Sequence, residues 1–222
     1  MDAYLAPDKS FDLIKRRLLV GGDTLVFYYI DGFVKDAIMQ RLMQYFLGLD
    51  GLPRGADAAM QFADGGVPYV EVDVTEDLDA AATLVLSGGV VALGETFGAH
   101  AVLIDARTYP VRSVAEPESD RVMRGARDGF VETLIFNTAL LRRRIRTPQL
   151  TLEGHKISEK SRADVVLCYL EDKVDRALLA RVRAKLAAID ANSISMSQES
   201  IAESMMDRRQ WFNPFPRVRY TE

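Results

Sequence analysis

The sequence contains few of the residues that carry metal and thiol chemistry. Its 222 residues include one cysteine, Cys168, and two histidines, His100 and His155. A single cysteine excludes a disulfide within the chain, which is typical of a reducing compartment. The two histidines lie far apart, and neither has a second ligand at metal-binding spacing. The sequence therefore predicts no disulfide partner, no metal and no cofactor, and it predicts that Cys168 is a buried strand residue.

Long apolar runs are also absent. No stretch of about 18 uncharged apolar residues is present, so no transmembrane helix is predicted. The N-terminus has no apolar core of a secretory signal. A hydrophobic content of 48% with 27% charged residues is typical of a soluble globular protein. The net charge of -4 argues against bulk nucleic-acid binding, and no nucleic-acid partner is predicted.

Recognisable catalytic motifs are missing. The glycine-rich segment "SGGVVALGETFG" matches neither a phosphate loop nor a dinucleotide fingerprint. No nucleophile elbow is present. The aspartates of "YIDGF" and "LIDAR" are more typical of turns than of catalysis. We therefore predict a protein that is not an enzyme, with an enzyme of unrecognised type as the weakest alternative.

Strand-like and helix-like segments alternate along the chain, and hairpins are also predicted. The fold class is predicted to be α/β, a two-lobed mixed α/β arrangement with short β-sheets flanked by helices. We expect a strand at 24–30, a helix after it, a loop-like segment with at most a helical turn at 52–68, and a helix capped by Thr75 or Asp77. We also expect a hairpin over 90–106, and two strands followed by a helix with an apolar stripe at Val174, Leu178, Val182 and Leu186, widened by Leu179 and Ile189. The predicted units are an N-terminal lobe (1–108), a linker and loop (109–128), a C-terminal lobe (129–210) and a juxtamembrane linker (211–222).

The most unusual segment is "RVMRGARDGFVETLIFNTALLRRRIR", residues 121–146, which holds seven arginines and no lysine. Its second half predicts a helix that begins at Asp128 or Gly129, with Glu132 in the first turn. At about 100° per residue, Phe130, Leu134, Leu141 and Ile145 fall within one arc, which is the predicted core face. Asn137 lies at the edge of this arc, so we expect it to be partly buried and to need a polar partner.

The helical wheel separates the arginines at the end of this helix. Arg142, Arg143 and Arg144 point about 100° apart, so they do not form one basic face. Arg144 lies beside Asn137 at the margin of the apolar arc, which makes it the predicted member of a buried ion pair. Basic residues in a last turn also complement the helix dipole.

Arg124 and Arg127 flank Gly125 just before the predicted helix. Free backbone N–H groups together with two guanidinium groups suit a bound anion, although Asp128 and Glu132 would partly neutralise such a site. Ion pairing between the lobes is favoured over anion binding at this point, and both are favoured over nucleic-acid binding.

The same residues resemble a known family. The segment "RGARDGFVETLIFNTALLRRRI" is similar to the signature of the GerA family of spore germination proteins, which places Arg124, Gly125, Arg127, Asp128, Gly129, Phe130, Glu132, Asn137, Arg142 and Arg144 in the family motif. The preceding "IDARTYPVRSVAEPESDRVMRG" is most similar to the AF branch of this family. "EKSRADVVLCYL" and "NPFPRVRYTE" also resemble family segments, with Arg162 and Ala163 where lysine and threonine are usual.

This resemblance implies the N-terminal region of a larger protein, followed in the family by a membrane part in the spore inner membrane. It implies a role in germinant signalling and ion release, through assembly and regulation at the cytoplasmic face. The implied partners are other subunits of a spore membrane complex and the protein's own C-terminal membrane domain. The alternative is a module that binds a small molecule or anion between the lobes near Arg124 and Arg127.

Overall fold

The computed structural model describes residues 1–108, 129–157, 163–189 and 201, which form two antiparallel sheets and the helices packed on them. The strands are β1 (Leu13–Val20), β2 (Asp23–Ile30), β3 (Val72–Thr75), β4 (Val90–Gly94), β5 (Ala101–Ile104), β6 (Leu150–Ile157) and β7 (Ala163–Leu170). The helices are α1 (Asp2–Leu5), α2 (Asp36–Leu47), α3 (Ala58–Gly66), α4 (Leu78–Leu86), α5 (Leu134–Arg144) and α6 (Arg176–Ala187). The predicted mixed α/β class with short sheets is therefore confirmed.

The first sheet has five strands in the order β1-β2-β4-β5-β3, and every neighbouring pair is antiparallel. One of its faces carries α2 and α3 over a chain of aromatic rings. Phe27 stacks on Phe46 with 5.3 Å between ring centroids, and Phe62 continues the chain at 5.3 Å from Phe46 and 5.1 Å from Phe97. Aromatic pairs at this spacing add to the stabilisation from apolar burial, so this face holds the larger core.

The opposite face of the first sheet carries α1, α4 and part of α5. Leu5 of α1, Val85 of α4 and Ala139 of α5 are buried in one apolar cluster with Tyr28 and Val91 of the sheet. Helix α4 begins as the sequence predicts, because the Asp77 carboxylate accepts a hydrogen bond from the Asp79 N–H at 2.8 Å. The first sheet is therefore covered on both faces.

The second sheet pairs β6 with β7 in a register that places Leu150 opposite Leu170. Helix α6 covers one face, where Leu186 and Ile189 are buried against Ile157. The predicted stripe of α6 is correct for Leu186 but wrong for Leu178, which is 49% exposed. Leu179 and Ile189, which widen the predicted stripe, are buried as expected, so the helix is rotated toward the Leu179 side.

Three further expectations need correction. Strand β1 is absent from the predicted elements, because its centre holds three consecutive basic residues in place of an alternating pattern. Residues 58–66 form a helix where a loop was expected. Cys168 lies on a strand as predicted but is exposed, since it points to the face of β7 opposite the one that α6 covers.

The predicted linker 109–128 and the predicted elements beyond Ile189 lie outside the described residues, apart from Ile201, so the lobe boundaries stay predictions. No helix of the described ranges is long and apolar enough to cross a membrane.

Candidate functional site

Helix α5, which carries the second half of the family motif, packs against the turn that follows β2. Gly32 in this turn has a φ of +83°, in the left-handed region that favours glycine. A Cβ atom at Gly32 would lie 2.8 Å from Cγ2 of Ile135 and 3.5 Å from Cβ of Ala139. Glycine is therefore required at this position both for its backbone conformation and for the close approach of α5.

The start of α5 is fixed by Asn137. Its side-chain amide donates to the Val131 carbonyl and accepts from the Val131 N–H, both at 2.7 Å. The expectation that Asn137 is partly buried and needs a polar partner is thus confirmed. The predicted start of the helix is wrong, because Leu134 is its first residue and Thr133 its N-cap. The partly buried Gly129 and Phe130 and the exposed Glu132 precede the helix, so Glu132 lies outside its first turn.

The end of α5 holds a buried ion pair between Arg142 and Asp12. Both side chains are 1% exposed. Nε of Arg142 donates to Oδ2 of Asp12 at 2.9 Å, and Nη2 donates to Oδ1 at 2.9 Å. This bidentate geometry is the strongest form of arginine–carboxylate pairing.

The remaining guanidinium hydrogens also have acceptors. Nη1 donates to the backbone carbonyls of Leu150 at 2.9 Å and Thr147 at 3.4 Å, and Nη2 also donates to Oγ of Ser10 at 2.9 Å. A guanidinium has five N–H donors, and all five are used here. A cation and a carboxylate can be buried together only when their hydrogen bonds are satisfied, and this arrangement meets that condition.

Ser10 connects the ion pair to the second sheet. Its hydroxyl donates to Oδ1 of Asp12 at 2.7 Å and accepts from the Leu152 N–H at 2.9 Å. The backbone carbonyl of Asp12 accepts from the Asp31 N–H at 2.7 Å, which anchors it to the end of β2. One guanidinium therefore holds together three parts of the chain: the segment before β1, the end of α5 and the start of β6.

The sequence prediction assigned the buried ion pair to Arg144, and the structure corrects this to Arg142. Arg143, Arg144 and Arg146 are exposed. The predicted core face was also wrong, since the fully buried members of α5 are Thr138, Ala139 and Arg142, whereas Leu134, Leu141 and Ile145 are only partly buried. The helix turns one of its three arginines inward, and the buried Asp12 carboxylate lies on that side.

Ser10 and Asp12 were not identified from the sequence. Asp12 is separated from Arg142 by 130 residues, so no local pattern links the two. A weak indication is present in "KSFDLI", where Ser10 and Asp12 lie just before the apolar pair Leu13 and Ile14 that opens β1.

The other half of the motif, Arg124, Gly125, Arg127 and Asp128, lies outside the described residues. An anion site at Arg124 and Arg127 therefore stays a prediction.

A second polar cluster joins α6 to the second sheet. Nε of Arg183 donates to Oε1 of Glu153 at 2.9 Å, and the Tyr169 hydroxyl donates to Oε2 at 3.0 Å. His155 lies beside the same carboxylate, with Nε2 2.9 Å from Oε1. The Arg183 hydrogen bonds hold the pKa of Glu153 below its usual value, and the Tyr169 hydroxyl and the His155 ring add to this effect. The cluster holds α6 against the second sheet.

In the described ranges, neither the Cys168 thiol nor the side chains that could bind a metal ion form a reactive centre. Partial desolvation raises the pKa of the Cys168 thiol, which favours its unreactive protonated form. No three His, Cys, Asp or Glu side chains of the described residues lie close enough to hold a metal ion. An open groove of about 420 Å³ is lined by Arg54, Gly55, Glu95 and Thr96, none of which belongs to the family motif.

Comparison with known proteins assigns the chain to a family. The family model described as Bacillus/Clostridium GerA spore germination protein matches residues 4–222. The chain is 36% identical over 213 residues to stage V sporulation protein AF of Bacillus subtilis (strain 168), covering 96% of this chain and 43% of that protein. It is 26% identical over 216 residues to spore germination protein KA of the same organism, covering 96% of this chain and 39% of that protein. The chain thus spans less than half the length of these relatives.

A solved structure has the same fold. The crystal structure of the N-terminal domain of the A subunit of the Bacillus megaterium spore germinant receptor GerK3 superposes with a TM-score of 0.64 at 22% identity, covering 96% of this chain and 78% of that one. The resemblance predicted from the motif, including that to the AF branch, is confirmed by these matches. The chain belongs to the GerA family of spore germination proteins.

Proposed function

We propose that this chain is the N-terminal cytoplasmic domain of a spore inner-membrane protein of the AF type, and that it contributes to germination through assembly and regulation. The observation that carries the proposal is the family match over residues 4–222, supported by relatives named for sporulation and germination. The chain covers 43% of stage V sporulation protein AF, so more than half of a protein of that length would remain for a membrane part.

The geometry of α5 favours a structural task for the family motif over ligand binding or catalysis. Arg142 directs all of its donors to groups of the same chain, namely Asp12, Ser10 and two backbone carbonyls. Asn137 is likewise committed to the backbone at Val131. Motif residues that are used internally in this way shape the domain surface, and that surface would contact neighbouring subunits or the membrane part.

The proposal is tested in spores of the organism that carries the full-length gene. Deletion of the gene should slow germination in response to nutrients and delay the release of ions from the spore core. A full-length variant with Arg142→Ala should reproduce the defect if the folded domain is required, whereas Arg181→Ala, at an exposed arginine of α6 outside the motif, should germinate normally.

Two measurements decide the outcome. Immunoblotting of spore membranes reports whether each variant accumulates, and cross-linking reports which membrane proteins it contacts. Deletion spores that germinate and release ions at the parental rate across a panel of nutrients would refute the proposed role.

A further inference from the structure

The described hydrogen bonds and ion pairs between the two sheets come from few residues, and each sheet has its own apolar core. Leu150 and Leu152 of β6 are also buried, outside these cores. The two large buried clusters lie on the two faces of the first sheet, and the third lies between the second sheet and α6. No one of these clusters, as seen in the described residues, includes side chains from both sheets. Contacts between parts of a chain that are small and polar permit relative motion more readily than large apolar ones.

The contacts that cross between the sheets come from a short segment and one helix end. We call residues 9–12, between α1 and β1, the strap. Phe11 donates its N–H to the Leu152 carbonyl at 3.0 Å, and Lys9 pairs with Glu171 at 3.1 Å. The Phe11 ring lies against Gly154, where a Cβ atom would be 3.6 Å from it. The strap therefore runs along β6 and then continues directly into β1 of the first sheet.

Arg142 closes this connection from the opposite side. Its helix is packed on the first sheet through Ala139, while its guanidinium bonds the strap at Asp12 and β6 at the Leu150 carbonyl. A rigid planar fork with five donors fixes the relative position of its acceptors more tightly than a flexible ammonium does. The second sheet is thus held in one orientation by a set of directional bonds around a single cation.

We propose that the Asp12–Arg142 pair is a conformational latch that sets the orientation of the second sheet against the first and can open while both sheets stay folded. Buried ion pairs contribute little net stability relative to apolar replacements, and in some proteins they serve to fix one arrangement of the chain. When the latch opens, the strap separates from β6, and the second sheet with α6 turns about the connection from α5 to β6.

Amide hydrogen exchange of the 222-residue chain, followed residue by residue by NMR, tests this latch. The double variant Asp12→Leu/Arg142→Met removes both charges of the ion pair, so neither charge is left buried without its counter-charge. Exchange at the Phe11 and Leu152 amides, which bond across the junction, should accelerate at least about tenfold, while exchange at β2 and β4 amides changes by less than about threefold. In the double variant, the amide resonances of the first sheet should also remain a single set at folded chemical shifts.

Two further variants keep the test decisive. Arg142→Lys retains the charge but lacks the fork, so it should accelerate the same two amides even if the double variant does not fold. Arg144→Lys, at an exposed position on the same helix, is the matched control and should leave them unchanged. Equal acceleration of all protected amides would show that the pair serves only global stability, and unchanged exchange at Phe11 and Leu152 would show that it holds no junction; either result overturns the proposal.

Discussion

Removal of the Arg142 side chain should destabilise the domain more than removal of its exposed neighbour Arg144. In Arg142→Ala, the Asp12 carboxylate, which is 1% exposed in the structure, loses both of its guanidinium bonds. The Leu150 carbonyl loses its donor at the same time. Breaking one side of a buried ion pair costs about 3–5 kcal/mol, because the remaining charge is left without a partner.

The effect should be visible in thermal unfolding. For a domain of this size, each kcal/mol lowers the melting temperature by about 2–4 °C, so Arg142→Ala should lower it by about 10 °C. Differential scanning calorimetry of the 222-residue chain measures the shift, and urea unfolding gives the free energy. Arg144→Ala is the matched control, and its exposed position predicts a change within about 0.5 kcal/mol.

A double-mutant cycle separates the ion pair from other losses. Asp12→Ala should cost a similar amount to Arg142→Ala, and the double variant should cost much less than the sum of the two. The reasoning is refuted if Arg142→Ala stays within about 1 kcal/mol of the parent protein, or if Arg144→Ala destabilises more than Arg142→Ala does.

Three other perturbations follow from the geometry. Asn137→Ala should cost about 1–3 kcal/mol in urea unfolding, because two hydrogen bonds to the backbone before α5 are lost; an unchanged midpoint would contradict this. Gly32→Ala should destabilise more than Gly22→Ala, since both glycines have positive φ but only at Gly32 would the added methyl lie 2.8 Å from a helix side chain; equal losses would show that the contact is unimportant. The lowered pKa of Glu153 implies stability that is present above its unfolded pKa and is lost as the pH falls through the folded one. Glu153→Gln should therefore flatten the acid side of a stability–pH curve measured by urea unfolding, and an unaltered curve would count against the Arg183 pair.

Much of the fold could be predicted because its determinants are local. The hairpin of β4 and β5 follows from two short apolar runs around glycine-containing turns, and the start of α4 follows from the Asp77 cap. Asn137 was recognised as a polar group in need of a partner because its position on the wheel borders an apolar arc. In each case the information lies within a few residues of the feature.

The buried face of α5 could not be predicted because its determinant is remote. A helical wheel assigns the core to the most apolar arc, and in α5 that arc contains Leu134 and Leu141. The structure instead buries the side that carries Thr138 and Arg142, since Asp12 lies there after folding. At Arg142, the ion pair with a carboxylate 130 positions away determines which side of α5 is buried. Hydrophobic periodicity within the helix does not indicate such a distant partner.

The position of Asp12 has a practical consequence for choosing where a minimal version of this domain should begin. Residues 1–12 contain one four-residue helix, so a design guided by secondary structure would start at Leu13, the first residue of β1. That cut would delete both Ser10 and Asp12 and leave Arg142 as a buried cation without a counter-charge. A minimal version should therefore begin upstream of its first strand, where the counter-charge of Arg142 lies.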